Sequence, residues 1–308
     1  MTSTFFATND GDIILRAGPE PDSKHDFRVH RFILSLASPV FKDMFAFPQP
    51  PDQTLHEQHQ LPTVGVLDPP EVLDTILRLI YPGVEPPKIP GLRDLTSVLS
   101  TADKYNITSI YPILRDTLKA FLPIHSFRVY VIACRFGFPE EAKEAARVSS
   151  TGSIIAQIPD EEVKHISTID LLRFVRFVQE REHEGRSMIQ ATFDWWGLLN
   201  NSDCTHWKDG KEFYFHLEKA VQDAFYLDPC VESKDLFPLL DKVPDPPPGC
   251  ESLPKSGEYY QKTGDKEAFS CPLQPMTIRA NLTEVASDLA NLNRRLLEET
   301  FGEGARSD

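Results

Sequence analysis

The stretch HDFRVHRFILSLASPVFKDMF, residues 25–45, decides the fold, because its hydrophobic period changes halfway along. Phe27 and Val29 alternate with polar residues, which is the period-two pattern of a half-buried strand. Further on, apolar residues recur every three or four positions, as on the buried face of a helix. These residues are Ile33, Leu34, Leu36, Ala37, Phe41, Met44 and Phe45. The pattern predicts a strand that ends on His30 and passes directly into two short helices, with Ser38 capping the second.

The flanking sequence predicts a small sheet followed by helices. The predicted strands cover residues 12–16, 27–30 and 61–67, and the predicted helices lie near 72–80, 92–105 and 110–121. Asp68 is expected to cap the first of these later helices, because Pro and Glu follow it in the order typical of a helix start. Strands and helices do not alternate regularly, so the predicted fold class is α+β.

The chain beyond this first domain reads as helical and then partly irregular. We predict a first domain at 1–122 with a mobile loop at 46–60, a helical extension at 123–195, a helical C-terminal part at 196–243, a Pro-rich linker at 244–275 and an amphipathic helix at 276–301. The last helix repeats apolar residues at steps of 4, 3, 4, 3 and 4 between Ile278 and Leu296. This spacing is typical of a short coiled coil, and equally of a helix docked on its own domain.

Composition excludes several classes of partner. The formal net charge is −14, which disfavours nucleic acid and anionic membranes, since both attract a basic face. No apolar run reaches the roughly 18 residues that a membrane span needs. The five cysteines are odd in number and scattered along the chain, which is typical of a protein from a reducing compartment rather than of a disulfide framework. We therefore expect a protein of the cytoplasm or nucleus.

Several spaced residue types, taken together and in order, resemble the signature of the BTB/POZ domain family. The matching positions are Asp12 and Leu15, then Phe27, Val29, His30, Arg31 and Leu34, then Ser38, Pro39, Phe41, Met44 and Phe45, and later ILRLIYP at 76–82. The continuation FPQP at 47–50 and the later ILRLIYP are similar to fungal members. The resemblance implies helices clustered around a short sheet, working as a protein–protein interaction module that is often a homodimer.

The resemblance also implies roles for individual residues. Asp12, His30 and Arg31 lie where the family places polar groups at its partner-binding and dimer surface. Asp12 and His30 would then share a charge-assisted hydrogen bond, or His30 would only cap the helix behind it. Leu34, Phe41, Met44 and Phe45 are expected in the hydrophobic core.

Many members of the family recruit a cullin-type ubiquitin ligase scaffold through a hydrophobic-x-Glu step soon after the Met-Phe pair. Here the matching step is Leu55-His56-Glu57, ten residues beyond Phe45 in the Pro/Gln-rich loop. Leu55 and Glu57 are thus the candidate cullin contacts. A ligase adaptor and a transcriptional or scaffold cofactor both remain open.

No sequence motif of a hydrolase, phosphate loop, dinucleotide site or zinc protease is present, so neither enzymatic activity nor a cofactor is expected. The alternative from another class is a metal-bearing enzyme or a zinc-stabilised domain, because thiolate and imidazole are the ligands that zinc prefers. Its weak candidate ligands are Cys204, His206, Cys230, Cys250 and Cys271. Their spacing lacks the close pairs of a recognisable zinc site, and isolated buried cysteines explain it as well.

Overall fold

A computed structural model describes residues 6, 10–18, 25–47, 61–149, 164–199, 207–228, 230, 232–242 and 275–302. The chain divides into two units, one made of residues 1–125 and 136–141 and the other of residues 126–135 and 142–308. Most of the predicted loop at 46–60 and nearly all of the predicted linker at 244–275 lie outside the described residues. Among the described residues, no helix is long and apolar enough to cross a membrane.

The first unit contains a three-stranded sheet in the order β2, β1, β3. The strands are β1 Ile13–Ala17, β2 His25–Val29 and β3 Thr63–Val66. β1 pairs antiparallel with β2, with Leu15 opposite Phe27, and parallel with β3, with Leu15 opposite Val64. Leu15 and Phe27 are fully buried, as the alternating pattern predicts. β2 ends at Val29, one residue earlier than predicted.

Helices surround this sheet. Those of the first unit are α1 Arg31–Ala37, α2 Pro39–Ala46, α3 Pro70–Ile80, α4 Leu92–Lys104 and α5 Tyr111–Lys119, with a 3-10 turn at Thr108–Ile110. Then α6 runs over Leu122–Phe136 and α7 over Pro139–Val148, with the left-handed Gly137 between them at φ 69°. His125 is non-helical, so a kink divides α6 where the two units meet in the sequence. The prediction of an α+β domain followed by helices is confirmed.

The second unit is helical throughout its described part. Its later elements are α8 Thr168–Leu199, α9 Trp207–Leu227, α10 Ser233–Leu236, a 3-10 turn at Phe237–Lys242 and α11 Pro275–Phe301. α8, α9 and α11 share one buried core, which includes Ile189, Val221 and Leu289. The apolar stripe of α11 is thus docked on its own unit, which is the second of the two alternatives that its spacing left open.

Candidate protein-interaction site

α1 carries an apolar face that the rest of its unit does not cover. Phe32 is 77% exposed and Leu36 is 79% exposed, although large apolar side chains of a domain are normally buried. They are four residues apart, so they project from the same side of the helix. The opposite side carries Leu34, which is fully buried. α1 therefore separates a core-facing side from an apolar outer side, and we call Phe32 and Leu36 the α1 face.

The junction between α1 and α2 fixes the orientation of both helices. The Ser38 hydroxyl accepts a hydrogen bond from the Phe41 N–H at 3.0 Å, which confirms the predicted cap. The same hydroxyl donates to the carbonyl of Tyr105 at 2.5 Å, so it ties α2 to the end of α4. The Phe41 ring stacks on the Tyr105 ring with centroids 4.4 Å apart. Leu34 and Phe41 are fully buried, whereas Met44 and Phe45 are only half-buried.

Asp12 and Arg31 meet at the N-terminus of α1. The Asp12 carboxylate accepts a hydrogen bond from the backbone N–H of Arg31 at 2.8 Å. The first N–H groups of a helix have no partner within the helix, and a carboxylate also interacts favourably with the helix dipole. Asp12 therefore caps α1 from the neighbouring strand. The hydrogen bond predicted between Asp12 and His30 is not formed, and the His30 side chain does not cap the helix.

His30 is held by two other residues. Its Nδ1 lies 3.2 Å from the Tyr81 hydroxyl and its Nε2 lies 3.0 Å from Asp10 Oδ1. Its backbone N–H donates to the Tyr81 oxygen at 2.7 Å. Burial raises the pKa of Tyr81 to about 12, so this phenol keeps its proton at physiological pH. Tyr81 belongs to the ILRLIYP stretch of the family resemblance. The sequence did not predict that it is the partner of His30.

The backbone N–H of Arg31 is capped by Asp12, but one atom of its side chain has no hydrogen-bond partner among the described residues. Its Nε is buried, and within the described part of the chain it has no hydrogen-bond partner. A buried donor without a partner costs about 1–3 kcal/mol of stability. Arg31 immediately precedes Phe32 and lies beside Asp12. The three residues predicted for partner binding, Asp12, His30 and Arg31, thus surround the start of the α1 face.

A second polar cluster stabilises the domain interior. Asp68 is 7% exposed and, contrary to the sequence prediction, does not cap α3, because Pro69 occupies the capping position. Instead its carboxylate lies 2.9 Å from Lys104 Nζ and accepts a hydrogen bond from the Tyr105 hydroxyl. Burial and this carboxylate raise the pKa of Tyr105 above its ordinary value. The cation of Lys104 and the phenol of Tyr105 satisfy the buried carboxylate of Asp68, so its burial needs no catalytic explanation.

The metal alternative concerns residues that are mostly outside the described part. Cys204, His206, Cys250 and Cys271 lie there, as do the candidate cullin contacts Leu55 and Glu57. In the described part, no group of three or more His, Cys, Asp or Glu side chains is placed to hold a metal ion. Cys230 is described, and its sulfur lies 3.2 Å from the Arg147 guanidinium. The zinc site stays a prediction.

Comparison with known proteins shows which proteins the N-terminal domain is similar to. Residues 7–122 match the BTB/POZ domain family. The chain is also 30% identical over 123 residues to TD and POZ domain-containing protein 5 of Mus musculus. That match covers 40% of this chain and 34% of the mouse protein, so it spans about a third of the length of the relative.

Proposed function

Because residues 7–122 form a BTB/POZ domain, we propose that this chain is a non-enzymatic interaction protein that dimerises through the α1 face. A BTB/POZ domain is a protein–protein interaction module. The helical second unit then positions or recruits a further partner. We also propose that the protein works in the cytoplasm or nucleus, and the absence of a disulfide at the described cysteines, Cys134 and Cys230, supports this.

The observation that carries dimerisation is the exposure of Phe32 and Leu36 on one side of one helix. Fully burying a Phe or Leu side chain contributes about 1.5–3 kcal/mol. A two-fold axis beside α1 would bring the same face of two copies together, so each substitution counts twice.

Light scattering after size exclusion tests this proposal on the full chain. We expect the wild type to be a dimer at micromolar concentration and Phe32→Ser/Leu36→Ser to be a monomer. The matched control is Leu67→Ser/Ile124→Ser, since both side chains are 75% exposed in the same unit but lie outside the α1 face. The control should remain a dimer. A wild type that stays monomeric, or a double α1 variant that stays dimeric, contradicts the proposal.

The ligase-adaptor role is the finer version of this function, and it rests on the family resemblance and on Leu55 and Glu57. A pull-down with a purified cullin is the direct measurement. We expect the wild type to retain the cullin and Leu55→Ala/Glu57→Ala to lose it, with Gln58→Ala/Gln60→Ala as a control in the same loop. If the wild type retains no cullin, the scaffold or transcriptional cofactor is the better assignment.

A further inference from the structure

The second unit contains a cleft of about 680 Å³ that is lined by residues of α7 and α11 and by Cys230. This volume lies in the range of sites for small ligands or short peptide segments. All residues that line the cleft belong to the same unit. Arg294 and Glu298 in its lining are exposed, so the cleft is accessible from solvent.

Three cationic side chains line this cleft. Lys143 and Arg147 are one turn apart on α7, and Arg294 comes from α11. Lys143 is half-buried and forms no ion pair with any described residue, and Arg294 donates to the neutral amide oxygen of Asn291 at 2.6 Å. Arg147 is paired with Glu144. Two positive charges therefore remain uncompensated by ion pairs with the described side chains, in a chain of net charge −14.

Hydrogen bonds hold the lining residues Arg147 and Cys230 in place. Arg181 is 2% exposed and donates to the carbonyls of Ala146 and Arg147 at 3.3 and 3.1 Å, so it satisfies the C-terminal end of α7. The Cys230 thiol donates to the Arg147 carbonyl at 3.4 Å, and its sulfur lies 3.2 Å from the Arg147 guanidinium. A preorganised site loses less entropy on binding. Burial raises the pKa of Cys230, which keeps the thiol protonated and makes it a poor nucleophile.

Small side chains form the floor on the α11 side. Ala286 and Ala290 are one turn apart there and leave room for a peptide backbone between the helices. Glu232 and Glu298 also line the cleft, and Glu232 is paired with Lys234 at 2.8 Å. The two carboxylates limit the positive potential of the cleft. That balance favours single carboxylates spaced along a chain over a dianionic phosphate.

We propose that this cleft binds an acidic peptide segment of a partner protein, whose carboxylates pair with Lys143 and Arg294 while its small side chains lie on Ala286 and Ala290. This inference rests on the proposed interaction function and names the class of partner that the second unit recruits. The charge complementarity between the cleft and an acidic segment carries it.

Peptide selection on the full chain is the first test. Random 12-residue peptides displayed on phage are selected against the wild type, and the selected peptides are then synthesised with a fluorescent label for polarisation measurements. We expect enrichment of Asp and Glu, and about ten-fold weaker binding to Lys143→Glu/Arg294→Glu. Lys219→Glu/Arg176→Glu is the matched control, because both residues are exposed in the same unit and do not line the cleft. This control changes the net charge by the same amount, but salt screens exposed charges outside the cleft. Its affinity should therefore stay within about two-fold of the wild type.

Two results overturn the inference: selection without enrichment of acidic residues, or peptides that bind the cleft variant and the control equally. A second readout is alkylation by N-ethylmaleimide, followed at each cysteine by mass spectrometry. Bound peptide should slow modification of Cys230 and leave Cys134, which does not line the cleft, unchanged. Equal rates at Cys230 with and without peptide also contradict it.

The same measurements on Phe32→Ser/Leu36→Ser separate this inference from the dimer proposal. We expect the monomeric variant to bind peptide with the affinity of the wild type per chain. A dimer without peptide binding refutes only the cleft, and peptide binding by a wild type that is itself monomeric refutes only the dimer.

Discussion

The Asp12 carboxylate lies 2.8 Å from the backbone nitrogen of Arg31, so the residue that precedes β1 caps the helix that carries the α1 face. Through this contact the sheet sets the position of a surface helix of only seven residues. Short helices gain little stability from their own hydrogen bonds, so a cap from outside the helix matters more here than in a long one.

Asp12→Ala should loosen α1. Removing a capping carboxylate costs about 1 kcal/mol, which corresponds to about five-fold faster local opening. Hydrogen exchange of the peptide that contains residues 31–37 measures this directly. Asp12→Asn keeps an acceptor oxygen and should exchange more slowly than Asp12→Ala. Asp43→Ala, an exposed acid on α2, is the control, and an equal effect there would show that the cap is not the cause.

Ser38→Ala should destabilise the BTB/POZ domain by about 2–3 kcal/mol, because it removes the cap of α2 and leaves the buried carbonyl of Tyr105 without a donor. Urea unfolding followed by circular dichroism gives the free energy of unfolding. Ser97→Ala is the matched control, since its exposed hydroxyl only bonds the Arg93 carbonyl one turn back on α4. The control should change stability by less than about 0.5 kcal/mol. Similar losses in both variants would contradict the assigned role of Ser38.

Glu141 makes the stability of its unit depend on pH. Its side chain is fully buried and lies 2.9 Å from Arg115 and 3.3 Å from Lys119. Burial alone would raise its pKa, but the hydrogen bonds from Arg115 and Lys119 outweigh it, and the pKa is lowered from its ordinary value of 4.5. The stabilisation is therefore fully present above pH 4.5 and is lost as pH falls through the lowered pKa of the folded state.

Glu141→Gln tests this dependence. At pH 7 we expect it to lower the free energy of unfolding by about 1–3 kcal/mol, because Arg115 is partly solvated and keeps some of its interactions. The difference from the wild type should shrink below pH 4.5. Glu140→Gln changes the same charge at an exposed neighbour and should track the wild type at every pH. A difference that stays constant down to pH 3 would refute the titration of Glu141.

Leu289→Ala should destabilise the second unit by about 2–5 kcal/mol, the range for deleting a buried leucine side chain. Leu289 is 1% exposed, in the core that α11 shares with α8 and α9. Leu172→Ala is the control, since Leu172 is 47% exposed on α8. In the Phe32→Ser/Leu36→Ser background, where the proposed dimer is absent, urea unfolding should be independent of protein concentration if α11 docks on its own chain. A midpoint for the second unit that rises with concentration would favour helix pairing between chains.

Local features were predictable from the sequence because their causes are local. The strand period at Phe27 and Val29 and the cap at Ser38 each depend on residues within one turn. The order of strands and helices indicated the α+β class, and the family resemblance implied that Asp12, His30 and Arg31 lie at one surface.

The partners of those residues could not be predicted, because they are chosen by the tertiary fold. His30 contacts Tyr81, which is 51 positions away, and Asp68 bonds Tyr105, which is 37 positions away. Nothing in their spacing distinguishes these partners from other Tyr and Asp residues. The exposure of Phe32 and Leu36 was equally invisible, since the helical period marks Leu36 as part of the buried face.

The order of the strands has a consequence for shortened products of the chain. Among the described strands, β1 comes first in the sequence but lies in the middle of the sheet, and β2 and β3 each pair with it and not with each other. A product that begins after Ala17, made by proteolysis or internal initiation, therefore loses the centre of the sheet rather than an edge. The remaining strands would expose their unpaired edges, and such a fragment should be cleared by quality control or aggregate.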